Sequence, residues 1–332
     1  MGPTGRIADG FERVRLTSHE RHCRDWSSTD DKVSATGQPS VAFDNVARHH
    51  YIQRHMEVLR NRGFKASISR LCVIAAALAL PCSAAAQPAM LEHAHAHNDY
   101  EHARPLLGAL ELGFHSVEAD VYLVAGRLLV AHHRDSVDAA RTLEALYLAP
   151  LRAYMQQHAG RAYTSSQPLV LLIDVKSDSE ATYVALDSVL RRYADICTIF
   201  VGGVVINGPV VAIISGNRAI GTMRRARVRF AAIDGRIANL NGSTTMSREL
   251  MPLISDSWER ITTWKGDGPA PDSVRRNVEG IVSLAHRRGQ LVRFWGTADN
   301  EVVWQLLRDA QVDLIGTDDL QALHAFLLRR RE

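Results

Sequence analysis

"PLVLLIDVKSDSEATYVALDSVLRRYA", residues 168–194, joins a short apolar run to an amphipathic stretch. From Leu169 to Val175 only Asp174 interrupts the apolar residues. Such a run suits a strand buried on both faces, as in a parallel sheet covered by helices. Residues 179–194 then carry the helical pattern, so the unit reads strand then helix.

The same alternation extends outward in both directions. "LGFHSVEADVYLV" (112–124), "TIFVGGVVI" (198–206), "VRFAAIDGR" (228–236), "MPLISDSW" (251–258), "QLVRFWGT" (290–297) and "VDLIGTDD" (312–319) read as further buried strands. "DSVRRNVEGIVSLAHRRG" (272–289) is a second clear helix, with Asp272 expected as N-cap and Gly289 as C-cap. With the strand leading into His95, eight strands separated by helical segments predict a (β/α)8 TIM barrel. A doubly wound sheet is the alternative, but no Gly-rich phosphate loop follows the first strand. No internal repeat is visible.

Residues 1–87 have a different character. Arg, His, Ser and Asp are scattered until "MEVLRNRGFKASISR" leads into "LCVIAAALALPCSAAAQ". A basic region, an apolar run too short to span a membrane comfortably and small residues Ala84–Ala86 have the order of a signal peptide. Residues 1–55 are therefore expected to be an upstream extension of the gene reading, 56–86 the signal peptide with Met56 as its start, and 87–332 the barrel. Pro81 before Cys82 argues against a lipoprotein anchor. The expected destination is periplasmic or extracellular.

Residues 1–87 hold 12 Lys+Arg and 8 Asp+Glu, leaving 27 against 28 in the remainder. The basic balance thus belongs to the leader, and nothing points to nucleic acid. Cys197 is the one cysteine after Gln87, so no intrachain disulfide is expected there.

A barrel places its reactive residues at the C-terminal ends of its strands. Those ends offer His95, His97, Asn98 and Asp99; Glu118 and Asp120; His132 and His133; Asp174 and Lys176; then Ser215, Asn217, Asp234, Asp256, Trp295 and Asp318. Glu118 and Asp120 share one face of their strand, because side chains two apart point the same way. With Asp174 they would repel one another unless a divalent cation, Mg2+ or Ca2+, lies between them. A salt bridge with Lys176 is the structural alternative; Lys176 is otherwise free to meet substrate oxygens. Two histidines beside such a cation, one from the end of the first strand and one from "VAHH", suit acid/base chemistry at a phosphodiester.

"HAHNDY", "SVEADVYL", "LLVAHH", "LLIDVK", "VRFWGT" and "LIGTDDL", in that order, resemble the superfamily of glycerophosphodiester phosphodiesterases and phosphatidylinositol-specific phospholipase C-like enzymes. Within it, the chain is most similar to the branch of altered inheritance of mitochondria protein 6, over nearly all of residues 91–322. The resemblance implies a TIM barrel and a phosphoric diester hydrolase acting on a glycerophosphodiester or phospholipid-type substrate. It also implies His95 and His132 as catalytic residues and Glu118, Asp120 and Asp174 as metal ligands; Asn98, Lys176 and Trp295 are further expected toward the substrate. The pattern departs from the usual His-Arg-Gly and lacks the Glu-Asn-Thr that normally follows it. His95 is preferred to His97 because Asn98 stands three residues on, as in sphingomyelinase D enzymes of the superfamily. His93, His97, His102, His133 and His158 are expected to support or to lie at the surface.

Two other function classes compete. A His-x-His after the first strand also opens metal-dependent amidohydrolase barrels, with Asp318 in place of their last ligand; that chemistry needs histidines on strands five and six, and none occurs between His158 and His286. A non-catalytic lipid- or carbohydrate-binding barrel is the other, for which Trp258, Trp264 and Trp295 offer stacking surfaces.

Overall fold

A computed structural model describes residues 87–241 and 246–329. The expected signal peptide and its cleavage site precede Gln87 and lie outside the described residues.

Eight strands close into a ring: β1 (Leu91–Ala96), β2 (Phe114–Val124), β4 (Leu169–Val175), β7 (Val210–Gly216), β9 (Ala232–Gly235), β10 (Leu253–Ser257), β11 (Leu291–Trp295) and β12 (Leu314–Thr317). Each pairs in parallel with the next, and β12 pairs in parallel with β1. Helices follow the strands: α1 (Leu107–Glu111), α2 (Ala149–Gln157), α3 (Ser179–Arg192), α4 (Ile220–Arg225), α5 (Trp258–Ile261), α6 (Asp272–His286), α7 (Glu301–Asp309) and α8 (Leu320–Leu328). This is the expected (β/α)8 barrel.

One expected barrel strand is not in the ring. "TIFVGGVVI" folds into the hairpin of β5 (Ile199–Val201) and β6 (Val204–Ile206). Its turn residues, Gly202 and Gly203, both have positive φ (54° and 87°), the conformation of a two-residue hairpin turn. β8 (Val228–Arg229) completes this antiparallel sheet, and the fourth barrel strand is the next apolar run, β7. β3 (Arg127–Val130) turns back antiparallel on β2, which brings His132 toward the mouth. At the second helix, Asp272 is the first helical residue and Pro271 the N-cap, one position from expectation.

Residues of one parity along each strand fill the lumen, and their character changes along the axis. Val170, Leu172, Ile213, Ala232, Leu253 and Leu314 form an apolar cluster, to which Phe200 from β5 adds. Two residues further along their strands come Asp174, Ser215, Asp234 and Ser255. The lumen is apolar at one end and polar at the C-terminal end, where a barrel builds its site.

Candidate active site

The deepest polar layer centres on Glu118. His95 is fully buried, with Nδ1 2.8 Å from Ser116 Oγ and Nε2 3.0 Å from Glu118 Oε2. Arg293, in the middle of β11, donates to the same carboxylate oxygen at 2.6 Å. Burial raises the Glu118 carboxyl, but Arg293 and His95 outweigh it and hold it below the usual carboxylate range. Burial, reinforced by Arg293, lowers His95 to about 4, so its imidazole is neutral near pH 7. His95, expected as the reacting imidazole, is packed between Ser116 and Glu118 with both ring nitrogens engaged there.

The layer above carries Asp120 and Asp174, directly opposite one another in the β2–β4 register. Lys176 Nζ bridges them, 3.1 Å from Asp120 Oδ2 and 2.8 Å from Asp174 Oδ2. Burial is the main cause that raises both carboxyls, Asp120 to about 6, while Lys176 opposes it. Gly216 makes room for this arrangement: a Cβ there would lie 1.9 Å from Asp174 Oδ1, and its φ is +64°. Lys176 is thus a partner of both carboxylates, as the salt-bridge alternative expected for one of them.

Tyr100 ties the mouth together. Its hydroxyl donates to Asp120 Oδ2 at 2.8 Å and lies 2.9 Å from Asn98 Oδ1 and 3.1 Å from His132 Nδ1. The half-exposed His132 ring has Nδ1 3.4 Å from Asp120 Oδ2. His97 immediately follows β1 at the rim, one-third exposed, with Nδ1 2.8 Å from Asp318 Oδ1. Burial opposes charge on His97, but the Asp318 bond and the field of Glu118 prevail and raise it above the ordinary imidazole value. His97 and His132 are the two imidazoles that reach the mouth, joined through Asn98 and Tyr100.

Glu118, Asp120 and Asp174 each offer an oxygen within 4.8 Å of the others. Asp120 Oδ1 and Asp174 Oδ1 are buried and have no hydrogen-bond partner. Hard oxygen donors of this kind fit Mg2+ or Ca2+. The acidic cluster has metal-ligating geometry.

Trp295 is half-buried beneath the Arg236 guanidinium, whose carbon lies 4.8 Å from the ring centroid. Trp258 is a core side chain edge-on to Phe294 and offers no stacking face to a ligand. Barrel strands five and six carry Asp234 and Asp256 near their C-terminal ends and supply none of the histidines that the amidohydrolase chemistry requires. Arg293 and Tyr100 escaped the sequence reading. A lone Arg inside the apolar run "LVRFW" was the available signal, because a buried guanidinium needs a carboxylate partner.

Carboxylates and imidazoles meet at the C-terminal mouth of this (β/α)8 barrel, and its family match is to a phosphodiesterase-like domain. Residues 82–231 match the AIM6-like phosphodiesterase domain. The chain belongs to the altered inheritance of mitochondria protein 6 family. It is 30% identical over 279 residues to altered inheritance of mitochondria protein 6 of Eremothecium gossypii, covering 71% of this chain and 70% of that protein. A homolog from Arthroderma benhamiae is 27% identical over 267 residues, covering 70% of this chain and 82% of the relative. Among solved structures, a glycerophosphodiester phosphodiesterase from Agrobacterium tumefaciens is similar with a TM-score of 0.43 at 12% identity, over 70% of this chain and 98% of that one. Another from Parabacteroides distasonis gives 0.44 at 15% identity, over 72% and 98%. The barrel assignment rests on the strand pairing itself.

Proposed function

We propose that the barrel hydrolyses a phosphodiester of the glycerophosphodiester or phospholipid type, with Glu118, Asp120 and Asp174 holding a divalent cation, Mg2+ or Ca2+. The observation that carries this reading is the grouping of Glu118, Asp120 and Asp174 near two accessible imidazoles, His132 beside Asp120 and His97 held by Asp318 at the rim. The cation supplies charge neutralisation and Lewis acidity at the phosphoryl group. His97 and His132 divide the proton transfers: one takes a proton from the attacking water, and the other gives a proton to the departing alcohol oxygen. Asp318 orients His97 and favours its charged form; Tyr100 orients His132 against Asp120. Lys176 holds Asp120 and Asp174 together and adds positive charge facing the phosphate. Asn98 keeps the rim of β1 in place.

A panel of glycerophosphodiesters, phosphatidylinositol and lysophospholipids, each assayed with and without chelator, tests the reading. Cleavage of at least one class, abolished by chelator and restored by Mg2+ or Ca2+, is expected. Cleavage indifferent to chelator would remove the cation from the proposal, and no cleavage anywhere in the panel would remove the phosphodiesterase.

A further inference from the structure

Across the mouth from the histidines stand two arginines that this chemistry does not use. Asp234, fully buried on β9, is already satisfied: its carboxylate accepts from Ser215 Oγ at 2.7 Å, from Ser255 Oγ at 2.6 Å and from Arg236 Nη1 at 2.8 Å. Arg236 Nη1 also donates to the Gly235 carbonyl at 2.8 Å, and the guanidinium lies over Trp295. Arg218 is anchored beside it by Nη1 to the Asp234 carbonyl and by Nε to the Gly216 carbonyl at 3.2 Å. Burial, then repulsion from Arg236, lowers Arg218 below its ordinary value, so the two guanidiniums feel each other. Arg218 lines an open cleft that runs to Lys176, which bridges the metal-ligating aspartates. Both guanidiniums are anchored on Asp234, Arg236 at its carboxylate and Arg218 at its main-chain carbonyl, each through part of its fork.

We propose that Arg218 and Arg236 form an anion-binding subsite next to the carboxylate cluster, so that the substrate is a phosphodiester one of whose alcohols carries a further phosphate or carboxylate. The inference rests on the phosphodiesterase reading for its setting, and on the arginine pair for its content. Guanidinium forks fixed by backbone carbonyls and an indole face are pre-organised for an oxyanion, which forms charge-assisted bonds with the donors left over. Trp295 keeps the Arg236 plane from rotating away. Lys176 and Arg218 both line the cleft, so an oxyanion held at Arg218 would lie beside the lysine that bridges Asp120 and Asp174.

Three p-nitrophenyl phosphodiesters, whose second alcohol is glycerol, glycerol 3-phosphate or glycerate, distinguish the sources of the anion. Wild type is expected to favour a charged ester over the glycerol ester by about tenfold or more in kcat/KM, and the better of the two names the anion. In Arg218→Gln and Arg236→Gln that preference should fall to within about threefold, while Arg236→Lys keeps part of it. Equal kcat/KM for all three esters in wild type, or a preference that survives both Gln variants, overturns the subsite. Should wild type cleave none of the esters, the phosphodiesterase reading fails and calorimetry with inorganic phosphate in chelator decides the subsite alone. Binding weakened by about tenfold in both folded Gln variants supports it; unchanged affinity overturns it.

Discussion

His95 lies inside β1 and His97 just past its end, so two residues separate a packed, neutral imidazole from an accessible one. The alternation of "HAHAHNDY" made it legible that the three histidines share a face. It did not say where β1 ends, and that end, at Ala96, decides which ring reaches the rim. The carboxylates were easier to read, because Glu118, Asp120 and Asp174 must find a cation of some kind. Arg293 and Lys176 answer part of that demand from within the chain. The different surroundings of the histidines give different expected losses. His97→Ala and His132→Ala should each lower kcat by about a hundredfold to ten-thousandfold, with the double variant little worse than either. His95→Ala should instead lower the melting temperature, since it strips a buried partner from Glu118 and Ser116 at a cost of about 1–3 kcal/mol. Steady-state kinetics beside thermal melts of the four variants separates these effects. Near-normal turnover in His97→Ala would return the reacting role to a residue elsewhere.

Elements were legible where an apolar run had the length of one strand and a helix behind it, as in β4 with α3. "TIFVGGVVI" misled because a short apolar run looks alike in a barrel and in a hairpin; the paired glycines were the discriminating sign. The segment from β1 to α1 hides a different constraint. Leu106 has φ 62° and ψ −59°, and Leu107 N–H donates to the Pro105 carbonyl at 2.7 Å, a tight γ-turn with a strained, fully buried centre. Asp99 holds that turn: its Oδ2 accepts from Leu106 N–H at 2.6 Å and from the Tyr147 hydroxyl at 2.8 Å. Burial pushes Asp99 up to about 6, despite both bonds. A carboxyl with a raised folded-state pKa binds protons more tightly in the native chain. Its contribution to stability is therefore complete below the unfolded value and lost as pH rises through about 6. Asn at this position can keep both acceptor bonds at one oxygen and does not titrate. Relative to wild type, Asp99→Asn should gain about 3 kcal/mol between about pH 4 and pH 7. Urea denaturation of both proteins at the two pH values measures that gain, and parallel pH profiles would show that Asp99 is not the titrating group.

At the scale of the whole molecule, the barrel stands on its apolar core without covalent staples. Of four cysteines, Cys197 alone follows Gln87, and burial holds its thiol up to about 12, so it is neither a thiolate nor accessible to a partner. The basic excess lies in residues 1–87, and the remainder of the chain is close to neutral. The Gln87 side-chain amide donates to the Arg161 carbonyl at 3.1 Å, and Leu91 N–H pairs with the Gly113 carbonyl at 2.7 Å. We propose that residues 56–86 direct export and are removed, leaving a barrel that an oxidising compartment neither helps nor harms. N-terminal sequencing of protein recovered outside the cytoplasm should begin at or near Gln87. Melts of that protein with and without a thiol reductant should coincide within about 1 °C, because no disulfide constrains the unfolded chain. A chain recovered with residues 56–86 still attached would refute the cleavage. A melting temperature that drops on reduction would show a covalent link that the core does not need.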